Sequence, residues 1–229
     1  EFARSDIQVS PIIMPLAATP YSFPSLRESF HGLPGLVADS LPDKFGNRLI
    51  NQWLATQGRT PDSMNPVERL CYIGRRGMGA LEFEPEQGPL NKGNKQVDIA
   101  ALTRLASLVL NERAELAGQL NGKNDQSDLQ EILRVGTSAG GARAKALLAW
   151  NPQTGEFRSG QLDKIAGFEY WLLKFDGVSN NRDKEVVDPL GYGLIEYAYS
   201  QMAKAAGIEM TACRLHQESG RHHFMTQRF

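Results

Sequence analysis

From Val135 to Lys145 the chain reads Val135-Gly136-Thr137-Ser138-Ala139-Gly140-Gly141-Ala142-Arg143-Ala144-Lys145, then passes at once into the apolar run Ala146-Leu147-Leu148-Ala149-Trp150. Three glycines and a series of small side chains give the first stretch little apolar surface to bury. It reads as a loop, and the run behind it as a strand. Small residues bring backbone N–H groups close to an anion, and glycine allows the positive φ angles that such a cradle uses. Ser138 adds a hydroxyl and Lys145 a cation. Two readings stay open from the residues: a phosphate-binding loop, or a surface turn ahead of a strand. The run is not a Walker A loop, because Ala142-Arg143 stands where Lys-Ser/Thr would follow the Gly136–Gly141 spacing. It is not a Gly-x-Gly-x-x-Gly fingerprint either.

The 229 residues suffice for one large or two small domains with a substantial core. A net charge of −1 excludes an overall basic field that would draw the protein onto nucleic acid, although a local patch is compatible with it. Cys71 and Cys213 lack metal-type spacing and do not suggest a disulfide framework, so a cytoplasmic location is expected. No apolar run reaches the length of a membrane span, and no membrane partner is expected. Glu1–Asp6 lacks the pattern of a signal peptide. The chain opens without methionine, so further residues are expected upstream.

Prolines at 11, 15, 20, 24 and 34 make residues 7–35 extended and loop-like, with Ile12, Ile13, Met14 and Phe23 apolar enough to pack on something. Phe45, Leu49, Ile50, Trp53 and Leu54 share one face of a helix over 43–57, with Gly58 behind it and Asp39 and Asp43 as caps. Asn65-Pro66 opens a short helix to Ile73, and Leu81-Glu82-Phe83 reads as a short strand. A second long helix covers 97–116 on the stripe Ala101, Leu105, Leu108 and Val109. Behind a polar boundary at 118–128, strands are expected at 145–150, 156–159 and 168–175. A helix from Asp188-Pro189 to Ala206 and a hairpin around Glu218-Ser219-Gly220 complete the order. Arg75-Arg76 reads as solvated surface. The adjacent His222-His223 point to opposite faces of a strand and do not readily share a metal.

Loop, strand, turn, strand, strand, helix, strand, strand is the order of a kinase small lobe. Phosphoryl transfer calls for a backbone cradle, a lysine on a sheet to hold nucleotide phosphates, and an acid to orient that lysine. The loop 136–144, Lys174 at the end of a hydrophobic strand, and Glu196 within the following helix occur in that order. Each also has a plainer reading, since strand-end lysines and helix glutamates are commonly solvated.

Gly32-Leu33-Pro34-Gly35-Leu36-Val37-Ala38-Asp39-Ser40-Leu41-Pro42-Asp43-Lys44-Phe45-Gly46-Asn47 resembles the N-terminal region of HipA-family toxin kinases, and the loop 136–145 resembles their phosphate loop. Glu196-Tyr197-Ala198 and Phe224-Met225-Thr226-Gln227-Arg228-Phe229 resemble later small-lobe segments. The resemblance implies a serine/threonine kinase of a toxin–antitoxin module that uses ATP and Mg²⁺. It implies a helix-turn-helix antitoxin (HipB-like) as partner, operator DNA reached through that antitoxin, and a protein substrate. The family-type substrate is glutamyl-tRNA synthetase, whose phosphorylation halts translation and leads to dormancy and persistence. It implies nucleotide binding by Ser138, Ala139, Gly140, Gly141, Ala142, Lys145 and Lys174, adenine contacts at Gln227 and Phe229, and Glu196 as the acid supporting Lys174. Ser138 matches the loop serine that undergoes autophosphorylation.

The resemblance also puts the catalytic and magnesium-binding aspartates beyond Phe229. None of Asp39, Asp43, Asp176 and Asp183 has a catalytic-loop context. The expectation is therefore an α+β chain without the large helical lobe: a mixed N-terminal subdomain over 1–120, lacking its first strands, and a kinase-like small lobe over 121–229, with an antiparallel sheet and one packed helix. Such a piece is expected to be inactive alone. The alternative is a non-catalytic binding or regulatory module that contacts the antitoxin.

Overall fold

The computed structural model describes residues 12–22, 30–77, 81–88, 96–110, 135, 143–161, 165–178 and 190–228. Among the described residues, the α-helices α1 (Gly35–Ala38), α2 (Lys44–Thr56), α3 (Pro66–Ile73) and α4 (Ile99–Leu110) precede the sheet. Helix α2 starts where Asp43 accepts the Gly46 N–H at 2.7 Å. It ends ahead of Gly58, whose φ of +68° suits the left-handed position after a helix. Asp39 does not share the capping of α2, because it closes the C-terminal end of α1. At α3, Asn65 and Glu68 exchange side-chain and backbone hydrogen bonds in a capping box (2.7 and 3.0 Å), with Pro66 in the first turn.

The strands are β1 Lys145–Trp150, β2 Phe157–Ser159, β3 Glu169–Lys174, β4 Cys213–Glu218 and β5 Arg221–Gln227. They form one antiparallel sheet in the order β2-β1-β3-β5-β4, with the aromatic-rich β3 in the middle. Ser219 and Gly220 join β4 to β5, both at positive φ, which is the twist a two-residue hairpin needs. Helix α5, Tyr192–Ala205, packs on β5 and β4 and ends before Gly207 at φ +82°. Its N-cap is Gly191; Asp188 and Pro189 lie outside the described residues. The chain is thus α+β, with the antiparallel sheet and single packed helix of a kinase-like small lobe.

Alternation along the strands sends Ala146, Leu148, Trp171, Leu173 and Met225 to one face. There they join Phe45, Leu49, Ile50 and Leu54 of α2 and Leu102, Leu105 and Val109 of α4 in one core. Leu49, Ile50 and Leu54 are fully buried, a burial that stabilises by roughly 1.5–3 kcal/mol per side chain. The Val97 N–H donates to the Phe157 carbonyl at 2.7 Å, tying the entry of α4 to β2.

Three further local expectations fail. Leu81-Glu82-Phe83 forms no strand; among the described residues its backbone bond is Phe83 N–H to Gly74 O (3.2 Å). Arg76 is buried rather than solvated: its guanidinium donates to the Tyr72 carbonyl, lies over the Tyr72 ring and pairs with Glu86 at 3.7 Å, while Arg75 stays exposed. Ile12 and Ile13 are exposed rather than packed.

Candidate functional site

The opposite face of the sheet carries charge. Lys174 ends β3 and stands in register with Lys145 at the start of β1, and both fall on the side where α5 lies. Lys174 Nζ donates to Glu196 Oε2 at 2.7 Å, and Arg143 Nη1 donates to Glu196 Oε1 at 2.8 Å. One helix carboxylate therefore holds two cations, each by a charge-assisted hydrogen bond. The Arg143 guanidinium also stacks on Tyr192, 3.8 Å from the ring centroid, and Tyr192 lies one helical turn before Glu196. Lys174 Nζ sits 5.6 Å from the centre of the Phe224 ring.

Lys145 behaves differently from Lys174. Its side chain is 6% exposed and its ammonium lies 3.6 Å from Asp43 Oδ2. Burial pushes its pKa below the usual lysine value, with the Asp43 carboxylate opposing that shift. Burial raises the Asp43 pKa in turn, against the Gly46 N–H bond and the Lys145 charge. Lys174 is about a third exposed.

A second buried carboxylate fixes the helix that carries Glu196. Asp176 follows Lys174 closely and is 2% exposed. Its oxygens accept from Gly191 N–H at 3.0 and 3.2 Å, from Gly193 N–H at 3.5 Å and from His222 N–H at 3.2 Å. An anion at the N-terminus of α5 matches that end's unpaired N–H groups and positive dipole end. Gly193 is required at this approach, since a Cβ there would stand 1.7 Å from the His222 carbonyl oxygen. The Arg221 guanidinium closes the corner on the carbonyls of Asp176 and Gly177 (2.8 and 2.7 Å).

The structure thus brings Lys174, Glu196, Arg143 and Lys145 to one corner of the sheet. Gln227 lies at the far end of β5, where its N–H is donated to the Ala212 carbonyl at 2.8 Å. Ser138, Ala139, Gly140, Gly141, Ala142 and Phe229 lie outside the described residues. Sequence reasoning missed the second cation on Glu196, the buried partner of Lys145 and the anchoring role of Asp176. The only sequence signal for Arg143 was its place at the end of the glycine loop. Among the described residues no helix is long and apolar enough to cross a membrane.

No curated protein and no solved structure matched the chain. A family model described as the HipA N-terminal domain matches residues 1–84, and one described as the HipA-like C-terminal domain matches residues 137–229. The first contains α1 to α3 and Asp43; the second contains the whole sheet, α5 and the Lys174–Glu196 pair. The two matches cover most of the chain in the order expected from its motifs, and the chain belongs to the HipA family.

Proposed function

We propose that this chain is the nucleotide-binding part of a HipA-like serine/threonine kinase toxin, and that the corner formed by Lys174, Glu196, Arg143 and Lys145 holds the phosphates of ATP. The observation that carries the reading is the 2.7 Å bond between Lys174 and Glu196, which fixes a strand-end ammonium while leaving it accessible. The donor chemistry fits a polyanion: three cations converge against two carboxylates, Glu196 and Asp43.

ATP would supply the transferable γ-phosphoryl group, with Mg²⁺ screening its charge. Lys174 contributes a point charge with rotatable donors, and Glu196 keeps it from folding back along the strand. Arg143, held by Glu196 and Tyr192, marks where the glycine loop joins β1. The loop's N–H groups and Lys145 add further donors, and Ser138 is the residue for autophosphorylation. An adenine contact at Gln227 falls to its carbonyl or side chain, because its N–H is engaged by Ala212. The phosphoryl acceptor is a protein serine or threonine, with glutamyl-tRNA synthetase the family-type substrate. The helix-turn-helix antitoxin is the partner, and operator DNA is reached through it. The role read from these residues is the nucleotide-binding one.

The test is titration of the chain with a fluorescent ATP analogue, with Lys174→Ala as control. Saturable binding displaced by ATP, and lost in Lys174→Ala while the fold persists by circular dichroism, is the expected result. No binding by the native chain removes the reading. Phosphopeptide mass spectrometry on the full-length protein with ATP and Mg²⁺ then asks whether Ser138 is modified.

A further inference from the structure

We propose that Asp43 is a positioning residue of this site: its buried carboxylate holds Lys145 in place, so that the N-terminal domain completes a site otherwise built by the sheet and α5. The inference rests on the nucleotide reading above.

Asp43 has two separable tasks. Oδ1 caps α2 through Gly46 N–H at 2.7 Å. That task needs only a neutral acceptor, and Asn or Ser caps a helix about as well as Asp. Oδ2 is buried, accepts no hydrogen bond among the described residues, and lies 3.6 Å from Lys145 Nζ, both side chains being 6% exposed. A buried carboxylate carries a desolvation cost that capping does not require, so its charge is explained by the partner rather than by the helix.

Lys145 in turn faces Lys174 directly across the β1–β3 pair. Like charges in such register repel. Glu196 already bonds Lys174 and Arg143, one on each oxygen. Asp43 supplies the charge that holds Lys145 on the other side, which keeps it from competing with Lys174 for Glu196. Residue 43 falls within the segment matched as the N-terminal domain, and Lys145 within the C-terminal one. The ion pair therefore makes the geometry of the phosphate corner depend on how the two domains are seated.

The test is a double-mutant cycle on the whole chain with Asp43→Asn and Lys145→Met, read by affinity for the fluorescent ATP analogue and by melting temperature. Asn keeps the cap and the shape and removes only the charge. Asp43→Asn is expected to weaken nucleotide binding about tenfold, and to add nothing in the Lys145→Met background, the non-additivity of residues in contact. The double variant is expected to melt above Asp43→Asn alone, because the uncompensated ammonium is gone. Should Asp43→Asn alone fail to fold, recovery of folding in the double variant supports the pairing, and its affinity against Lys145→Met decides the role. Equal affinity of Asp43→Asn and the native chain, or strictly additive losses, overturns the positioning role while the site reading stands. Absence of nucleotide binding by the native chain overturns both, although the melting cycle still reports whether the two charges are coupled.

Discussion

On one face of the five-stranded sheet, Ala146, Leu148, Trp171, Leu173 and Met225 close against α2 and α4. On the other, Lys145 and Lys174 stand beside Glu196 and Arg143. The same five strands serve both, because successive side chains leave a strand on opposite sides. The first face gains its free energy from area removed from water; on the second, Lys174, Arg143 and Glu196 are held a few ångströms apart at partial exposure beside the buried Lys145. On the nucleotide reading proposed above, the core face sets stability and the charged face sets what the protein holds. Substitutions on the two should separate accordingly.

The largest expected effect is on the core face. Leu148 is fully buried at the centre of β1, and Leu148→Ala should lower unfolding free energy by about 2–5 kcal/mol, read from urea denaturation. A loss below about 1 kcal/mol would mean that the site collapses freely, and the contrast between the faces would fail.

His223 gives the next effect. It lies on the core face, 1% exposed, and its Nδ1 accepts the Asp176 N–H at 2.9 Å, so the neutral ring must carry its proton on Nε2. Protonation would destroy that acceptor inside the core. Burial pushes its pKa down to about 4, the neighbouring His216 adding to the shift. An unfolded histidine titrates near pH 6.5, so the unfolded chain takes up this proton first as pH falls. Stability from His223 is full above about pH 6.5 and is lost progressively toward pH 4, by about 3 kcal/mol. Asp43 and Glu218, whose carboxyls burial raises, act in the opposite sense at low pH. The cleaner readout is therefore the ring itself: by NMR, His223 should remain neutral down to about pH 5. Titration near 6.5 would show water at this side chain and break the account of a dry face.

A calibrating change lies on neither face. Asn65→Ala removes one half of the α3 capping box and should lower stability by about 1 kcal/mol with nucleotide affinity unchanged. A loss of affinity here would show that the two properties are not separable in this chain.

What the sequence made legible was local. The Asp43 cap, the Asn65-Pro66 helix start, the turn at Ser219-Gly220 and the apolar period of α2 are each written within a few residues, and each forms, Glu68 adding the second half of a capping box that was not anticipated. The meeting of Lys174 with Glu196 could be anticipated only from the order of elements, since a strand followed by a helix packed on the same sheet brings those positions near each other. Asp43 and Lys145 are far apart in the chain, and nothing in either neighbourhood names the other. Arg75 and Arg76 show the same limit at its sharpest. Two identical adjacent residues divide into one exposed and one buried, and the difference is the Tyr72 carbonyl and ring that only the fold supplies. Leu81-Glu82-Phe83 has strand-like residues, but a strand also requires a neighbour to pair with, and none lies beside it among the described residues.

The smallest expected effect on stability falls on Glu196, and it is the most telling. Its pairs with Lys174 and Arg143 are partly exposed, and such pairs contribute between nothing and about 1 kcal/mol. Glu196→Gln keeps the length and one carbonyl oxygen, so the unfolding midpoint should move little. Lys174 and Arg143 would lose the charge that orients them, and affinity for the ATP analogue should fall about tenfold or more, in line with a charge-assisted bond exchanged for a neutral one. Lys174→Met should show the same pattern, and the double variant should bind no worse than Lys174→Met alone. A Glu196→Gln chain that unfolds readily, with binding lost only because folding is lost, would make the pair a structural clamp and return the charged face to the same rule as the core.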